Sequence, residues 1–212
     1  VVAFPTETVY GIGADVFNKK AIEKIFKIKE RPFYDPLIAH IGDVDQLQLL
    51  VKEVDENLMK VAENFWPGPL TVVVEKNENV SDLVTAGLPT VAVRMPNHRA
   101  AKALITAAKT PIAAPSANKF GKLSPTNAHH VLKQLKNVDY IIDDGNTQIG
   151  IESTVIALNE EGFRILRPGV VTKQELALLI PHIESKFFIQ ERGLQSPGLL
   201  KSHYSPRIPL YI

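Results

Sequence analysis

Apolar positions along this chain switch repeatedly between two periods. Short runs and alternation at period two mark strands, whereas spacing at i, i+3 and i+4 marks helices. Residues 1–4, Val-Val-Ala-Phe, read as the inside of a strand. Asn18 is an N-cap for a helix through Glu30, with Ala21, Ile22, Ile25 and Phe26 at helical spacing and Pro32 beyond its end. Residues 43–65 form a second helical region with Leu47, Leu50, Val51, Val54, Leu58, Val61 and Phe65 on one side. Pro67-Gly68-Pro69 stops it. Residues 70–75 and 90–94 are strands, Asn97 caps a third helix reaching about Lys109, and 112–114 is a short buried strand. Ser124-Pro125 leads into a helix at 126–135. Strands follow at 140–142, 154–158 and 163–166, the last two joined by the hairpin-type turn Asn159-Glu160-Glu161-Gly162. Thr172-Lys173-Gln174-Glu175 is a capping box before a helical stretch at 176–180.

This alternation predicts an α/β class, and the hairpin makes the sheet mixed rather than purely parallel. No internal repeat is present. From about 191 to 207 the periodicity stops and Gly, Ser and Pro gather, as in an extended linker. The chain opens inside a strand, and 208–212 reads as another strand barely begun. The expected organisation is therefore a domain at 1–190 lacking its first residues, a linker at 191–207, and the start of a truncated second domain at 208–212.

Composition narrows the class. The 212 residues are 45% hydrophobic and 22% charged, with a net charge of +1, which excludes a disordered chain. No apolar run approaches the roughly 18–20 residues of a membrane span. The count of 0 cysteines fits a reducing compartment and excludes thiolate metal sites and a cysteine nucleophile. The expected location is cytoplasmic.

The average charge hides local structure. Residues 19–31 hold Lys19, Lys20, Lys24, Lys27, Lys29 and Arg31 against Glu23 and Glu30. Most of these suit a solvated helix face, but Lys29 and Arg31 lie where the helix ends and can reach into a phosphate site. Prolines number 15, about 7% of the chain against a usual ~5%, and several sit beside hydroxyl or basic residues after strands. Ligands of α/β sheets bind beyond the carboxyl ends of strands, so these loops are the place to look. Pro5-Thr6-Glu7-Thr8 runs into a glycine-rich turn at Gly11-Ile12-Gly13 that lacks the third glycine of a dinucleotide fingerprint. Pro115-Ser116-Ala117-Asn118 follows a buried strand and leads through Gly121 to Ser124, but no Walker A motif is present. Arg94 ends a strand and needs an anion, either a substrate carboxylate or an internal salt bridge. Glu152-Ser153-Thr154-Val155 and Arg167-Pro168-Gly169 add hydroxyls and a further arginine. His40 closes an apolar run as a satisfied buried histidine. Singly, each loop also fits ordinary turn chemistry. Together they describe many hydroxyls and several fixed cations, as a nucleoside triphosphate plus a small zwitterion requires.

Taken in order, these segments resemble a known family. They are Pro5-Thr6-Glu7-Thr8-Val9-Tyr10-Gly11, Lys29-Glu30-Arg31-Pro32, Pro36-Leu37-Ile38-Ala39-His40, Trp66-Pro67-Gly68-Pro69-Leu70-Thr71, Val91-Ala92-Val93-Arg94-Met95-Pro96, Ala114-Pro115-Ser116-Ala117-Asn118, Glu152-Ser153-Thr154-Val155 and Leu166-Arg167-Pro168-Gly169. The order is collinear with the YrdC-like threonylcarbamoyl-AMP synthase family from Val1 to about Gly169. Ser202-His203-Tyr204-Ser205-Pro206 is similar to the linker of its two-domain form, which carries a further Rossmann-like domain.

The resemblance implies a twisted mixed α/β sheet with flanking helices around a deep, positively charged cleft. It implies that L-threonine, bicarbonate and ATP give threonylcarbamoyl-AMP and pyrophosphate. The product would pass to proteins that modify adenosine beside the anticodon of certain tRNAs. By this resemblance Lys29 and Arg31 hold the triphosphate and carry catalysis, with Mg²⁺ sharing the charge. Ser116, Asn118 and Ser124 bind the nucleotide, and Arg167 supports its phosphate or ribose. Thr8, His40, Arg94 and Ser153 frame threonine, with Thr6 as the alternative to Thr8. Tyr204 closes over the site from the linker. Asp35 joins the ATP-binding set by position, yet it stands where the family often has Asn, and a carboxylate there repels a triphosphate unless it meets a metal. Asp144-Gly145-Asn146 departs from the family's usual glycine pair. No protein-held metal, membrane contact or tight nucleic-acid binding is expected. One rival is a carbamoyl-adenylate-forming module of the hydrogenase-maturation type, whose cysteine-rich zinc segments this chain lacks. Another is an RNA-binding module, against which the weak net charge counts.

Overall fold

The computed structural model describes residues 1–183. The linker expected at 191–207 with its Tyr204, the strand expected at 208–212, and the domain boundary at 190 lie outside the described residues. The first two strands, β1 (Val2–Pro5) and β2 (Tyr10–Asp15), form an antiparallel hairpin closed by the pair Pro5 and Tyr10. The Thr6 hydroxyl organises its loop, accepting from the amides of Thr8 at 3.2 Å and Val9 at 3.3 Å. The sequence reading made Gly11-Ile12-Gly13 a turn; it is the buried run of β2 instead. A Cβ on Gly13 would lie 2.5 Å from Ile112 Cγ2 and 2.8 Å from Phe4 Cε1, so glycine here serves close packing.

Helix α1 (Lys19–Lys29) takes its cap from Asn18, whose side chain accepts from Ala21, and ends at Glu30 in a left-handed conformation. After β3 (Ile38–His40), the helix expected over 43–65 is broken. A single 3-10 turn (Val44–Gln46) and α2 (Leu47–Leu50) come first. The backbone then extends, with Val51 bridging to Lys76 and the Lys52 amide bonded to the Glu75 carbonyl at 3.0 Å. Asp55 restarts the helix as α3 (Glu56–Phe65) by accepting from Leu58. Apolar spacing alone could not show that the sheet recruits this backbone. Strands β4 (Leu70–Glu75) and β5 (Thr90–Arg94) form where expected, with the unforeseen α4 (Asp82–Thr85) between them. Helix α5 (Arg99–Ala108) is capped by His98 rather than Asn97. The remaining elements are β6 (Ile112–Ala113), α6 (Ala128–Gln134) capped by Asn127, β7 (Tyr140–Ile141), β8 (Thr154–Asn159) and β9 (Gly162–Arg167). The capping box forms on Thr172 and Glu175, and its helix α7 (Lys173–Ala177) begins before the expected 176–180.

Among the described residues nine strands form one mixed sheet in the order β7-β1-β2-β6-β3-β5-β4-β8-β9. Pairs β1–β7, β3–β5 and β4–β8 are parallel and the other neighbours antiparallel. Alternation sends residues to two faces. Ile12, Ala39, Val72, Val93 and Ile156 join Ile22, Ile25 and Phe26 of α1 and Leu58 and Val61 of α3 in the main core. Phe4, Ile112 and Ala114 pack on Ala101 and Ile105 of α5, and Ile38, Val73, Ala92 and Val155 form a smaller cluster. His40 and Arg94 are register partners on adjacent strands and alternate onto the face of Ile38 and Ala92. No helix among the described residues is long and apolar enough to cross a membrane.

Gly13→Ala should test the packing of β2. The methyl overpacks Phe4 and Ile112, at a cost of about 1–3 kcal/mol. Thermal denaturation should show a midpoint lowered by roughly 2–4 °C per kcal/mol lost. An unchanged midpoint would contradict the close approach.

Candidate active site

Gly11 of β2, Ile38 and His40 of β3, Arg94 of β5 and Arg167 of β9 line a cavity, with Ala114 just after β6. Loops supply the rest of its walls: Thr6, Thr8 and Val9 from the β1–β2 hairpin, Arg31 after α1, Pro115 and Ser116 after β6, and Glu152 and Ser153 before β8. The site therefore spreads over one face of the sheet, not simply beyond its strand ends. This mixed sheet has no common carboxyl edge: β3 and β5 end at His40 and Arg94, where β4 and β8 begin.

The hairpin separates the two threonines. The Thr6 hydroxyl donates to the Val9 carbonyl at 2.7 Å, so in the 2.9 Å contact between the two hydroxyls Thr8 is the donor. Thr6 is thus committed to its own loop, while Thr8 keeps acceptor capacity. Glu7, between them, lies 2.7 Å from Arg94 Nη2, and both are buried. Arg94 also donates from Nε to the Gly68 carbonyl at 3.2 Å. It has the internal salt bridge and lines the cavity as well.

His40 is buried, and its pKa falls to about 3 because burial disfavours the charged ring and Arg94 is close. Its Nδ1 lies 3.1 Å from the Ile38 carbonyl. The ring is neutral across physiological pH and acts as a polar wall. Ser153 is a junction. Its hydroxyl is 2.7 Å from that of Thr71 and accepts from Arg167 Nη2 at 3.2 Å, while its carbonyl accepts from Arg167 Nε at 3.1 Å. Gly169 permits this approach: a Cβ there would lie 2.5 Å from the Thr154 nitrogen.

The basic end of α1 divides in two. Arg31 lines the cavity and donates to the carbonyls of Asp35 at 3.1 Å and Pro36 at 2.7 Å. Lys29 turns elsewhere. Its ammonium is buried, bonded to the carbonyls of Ser116 at 2.5 Å and Asn118. Burial, with Arg31 nearby, pushes its pKa well below the usual lysine value. In this arrangement Lys29 ties the helix end to the Ser116 loop and is not among the cavity-lining residues. Asp35 is also absent from the lining. It is fully buried 2.9 Å from Arg31 Nη2, and burial raises its pKa against the opposing pull of Arg31, Lys29 and Arg167. Its position is that of an internal counter-ion to Arg31.

The nucleotide candidates also diverge. Ser116 lines the cavity. Asn118 is buried, and its amide donates to the carbonyls of Lys119 at 2.9 Å and Lys122 at 2.7 Å. Ser124 donates to Glu152 Oε1. Sequence reasoning missed three participants. Glu7 and Glu152 sat inside segments already singled out, where only the hydroxyls were read as ligands. Thr71 closes the segment Trp66-Pro67-Gly68-Pro69-Leu70-Thr71, but alternation along a strand gave no reason to read its hydroxyl as a partner of Ser153. Among the described residues no cluster of three His, Cys, Asp or Glu is placed to hold a metal ion.

The chain as a whole is similar to known proteins. The Sua5/YciO/YrdC family model, described as telomere recombination, covers residues 1–169. A threonylcarbamoyl-AMP synthase of Pyrococcus abyssi (strain GE5 / Orsay) is 47% identical over 210 residues, 97% of this chain and 62% of that protein. Another, of Bacillus subtilis (strain 168), is 46% identical over 216 residues, 100% of this chain and 62% of that protein. The crystal structure of P. abyssi Sua5 complexed with L-threonine superposes with a TM-score of 0.88 at 46% identity, over 97% of this chain and 62% of the other. This chain thus spans about three fifths of the length of these relatives. With the family model matching most of its length, the chain belongs to the Sua5/YciO/YrdC family.

Proposed function

We propose that this chain carries the site of an L-threonylcarbamoyladenylate synthase, which converts L-threonine, bicarbonate and ATP to threonylcarbamoyl-AMP and pyrophosphate. The observation that carries this reading is one cavity joining the guanidinium groups of Arg31, Arg94 and Arg167 to the hydroxyls of Thr8, Ser116 and Ser153. Similarity to a protein crystallised with L-threonine supports it.

In this reading threonine lies over the strand floor. Arg94, held from behind by Glu7, faces the substrate carboxylate. Thr8, Ser153 and the neutral His40 surround its polar groups. The carbamate formed from the amine and bicarbonate attacks the α-phosphate of ATP, and pyrophosphate leaves. No protein nucleophile is required, so catalysis consists of positioning and of stabilising charge on the phosphates. Arg31 and Arg167 supply that charge, with Ser116 and Asn118 on the nucleotide side. Lys29 holds the Ser116 loop in place. When bound with ATP, Mg²⁺ would offset part of the phosphate charge; the described residues offer no cluster of three His, Cys, Asp or Glu to hold it. The enzyme would work in the cytoplasm and pass its product to tRNA-modifying proteins.

Pyrophosphate release from ATP by the purified protein should require L-threonine and bicarbonate together. Release driven by carbamoyl phosphate would point instead to carbamoyl-adenylate chemistry. Salt-sensitive RNA binding without ATP turnover would point to an RNA-binding module. Ser153→Ala should raise the KM for L-threonine about 5- to 10-fold, the worth of one hydrogen bond of about 1 kcal/mol. The KM for ATP should change less than twofold. Equal changes in both constants would remove Ser153 from the threonine subsite.

A further inference from the structure

The cavity holds a charge that the reading above leaves unused. Among the described residues lining it, Glu152 is the only carboxylate, and three arginines line it as well. Two of those arginines have carboxylates of their own outside the cavity lining, Glu7 for Arg94 and Asp35 for Arg31. Arg94 and Arg31 therefore do not depend on Glu152, and Arg167 is held by the Ser153 carbonyl and hydroxyl. It is half-buried, next in sequence to Ser153, and Ser124 fixes one of its oxygens by donating to Oε1. A negative charge in a site for a triphosphate and bicarbonate is costly unless it meets a cation. An amino acid brings one, its ammonium.

We infer that Glu152 binds the ammonium of the amino-acid substrate and takes its proton as the carbamate forms, which rests on the synthase reading. The step balances. The substrate ammonium, bicarbonate and the Glu152 carboxylate give the carbamate, one water and protonated Glu152. Glu152 Oε2 takes one ammonium proton and frees the nitrogen lone pair, which forms the N–C bond. A C–O bond of bicarbonate breaks, and the departing hydroxide leaves as water with a second proton from nitrogen. The oxygen held by Ser124 orients the carboxyl group, which makes Ser124 a positioning residue here.

Two measurements test this in the purified protein. The first compares kcat and KM of the wild type with Glu152→Gln and Glu152→Asp. General-base removal typically costs about 10²- to 10⁴-fold. Glu152→Gln should lose at least about a hundredfold in kcat and regain part of it as pH rises toward the free-amine range, with Asp intermediate. The second measures binding of L-threonine against 3-hydroxybutanoate, which keeps the carboxylate and hydroxyl but lacks the amine. The wild type should prefer threonine by at least about tenfold, and Glu152→Gln should erase most of that preference, with a melting temperature near wild type. A Glu152→Gln variant with kcat within twofold of wild type and undiminished preference for threonine would overturn the inference and leave the synthase reading standing. A wild-type protein that neither binds threonine nor releases pyrophosphate with it would overturn both.

Discussion

Among the described residues four cationic side chains lie in the interior of the fold, and each must be satisfied there. Lys29, Arg31, Arg94 and Arg167 are all buried. A buried charge without partners costs several kcal/mol, so their partners dictate how the loops run. Lys29 draws the Ser116–Asn118 loop onto the end of α1. Arg31 folds the 32–36 segment around itself through the Asp35 and Pro36 carbonyls. Arg94 fastens the hairpin loop to the sheet through Glu7, and Arg167 fastens β9 to Ser153. The walls of the cavity are the segments that neutralise these charges. Stability and site geometry are in this sense one problem with one solution.

The sheet makes room for that solution by keeping one face small. Gly11 and Ala114 line the cavity with little side chain, and a Cβ on Gly13 would clash with Ile112 and Phe4. The opposite face carries the main core of branched and aromatic residues against α1 and α3. Helix α5 closes the far part of the small-residue face with Ala101 and Ile105. The mixed strand order sets His40 and Arg94 beside the start of β4 and close to that of β8, so Ser153 enters the same cavity. A purely parallel sheet would have put these groups on opposite edges.

The polar groups at and behind the cavity divide into two sets. One is paired with protein partners: Thr6 with its own loop, Glu7 with Arg94, Asp35 with Arg31. The other, Thr8, Ser116, Ser153 and Glu152, lines the cavity and retains capacity for a ligand. Preorganisation follows, because the paired groups hold the lining before any ligand arrives.

Much of this was legible in the chain itself. Apolar periodicity located most strands and α1, and the side-chain caps at Asn18 and Thr172 were visible as residue types. The ordered loop motifs indicated the family and named residues that line the cavity: Thr6, Thr8, Arg31, His40, Arg94, Ser116, Ser153 and Arg167. Other features were not legible. Glycines in β2 look like a turn until Phe4 and Ile112 are seen to press on them. The helical pattern over 43–65 gives no sign that the edge of β4 recruits residues 51 and 52. Nor does a list of lysines and aspartates say which face the ligand and which face one another. Local sequence determines the period, caps and chemistry of each segment because those depend on near neighbours. Tertiary structure alone decided that Lys29 and Asp35 turn inward and that Glu152 lines one cavity with three arginines, because such contacts depend on distances between segments far apart in the chain.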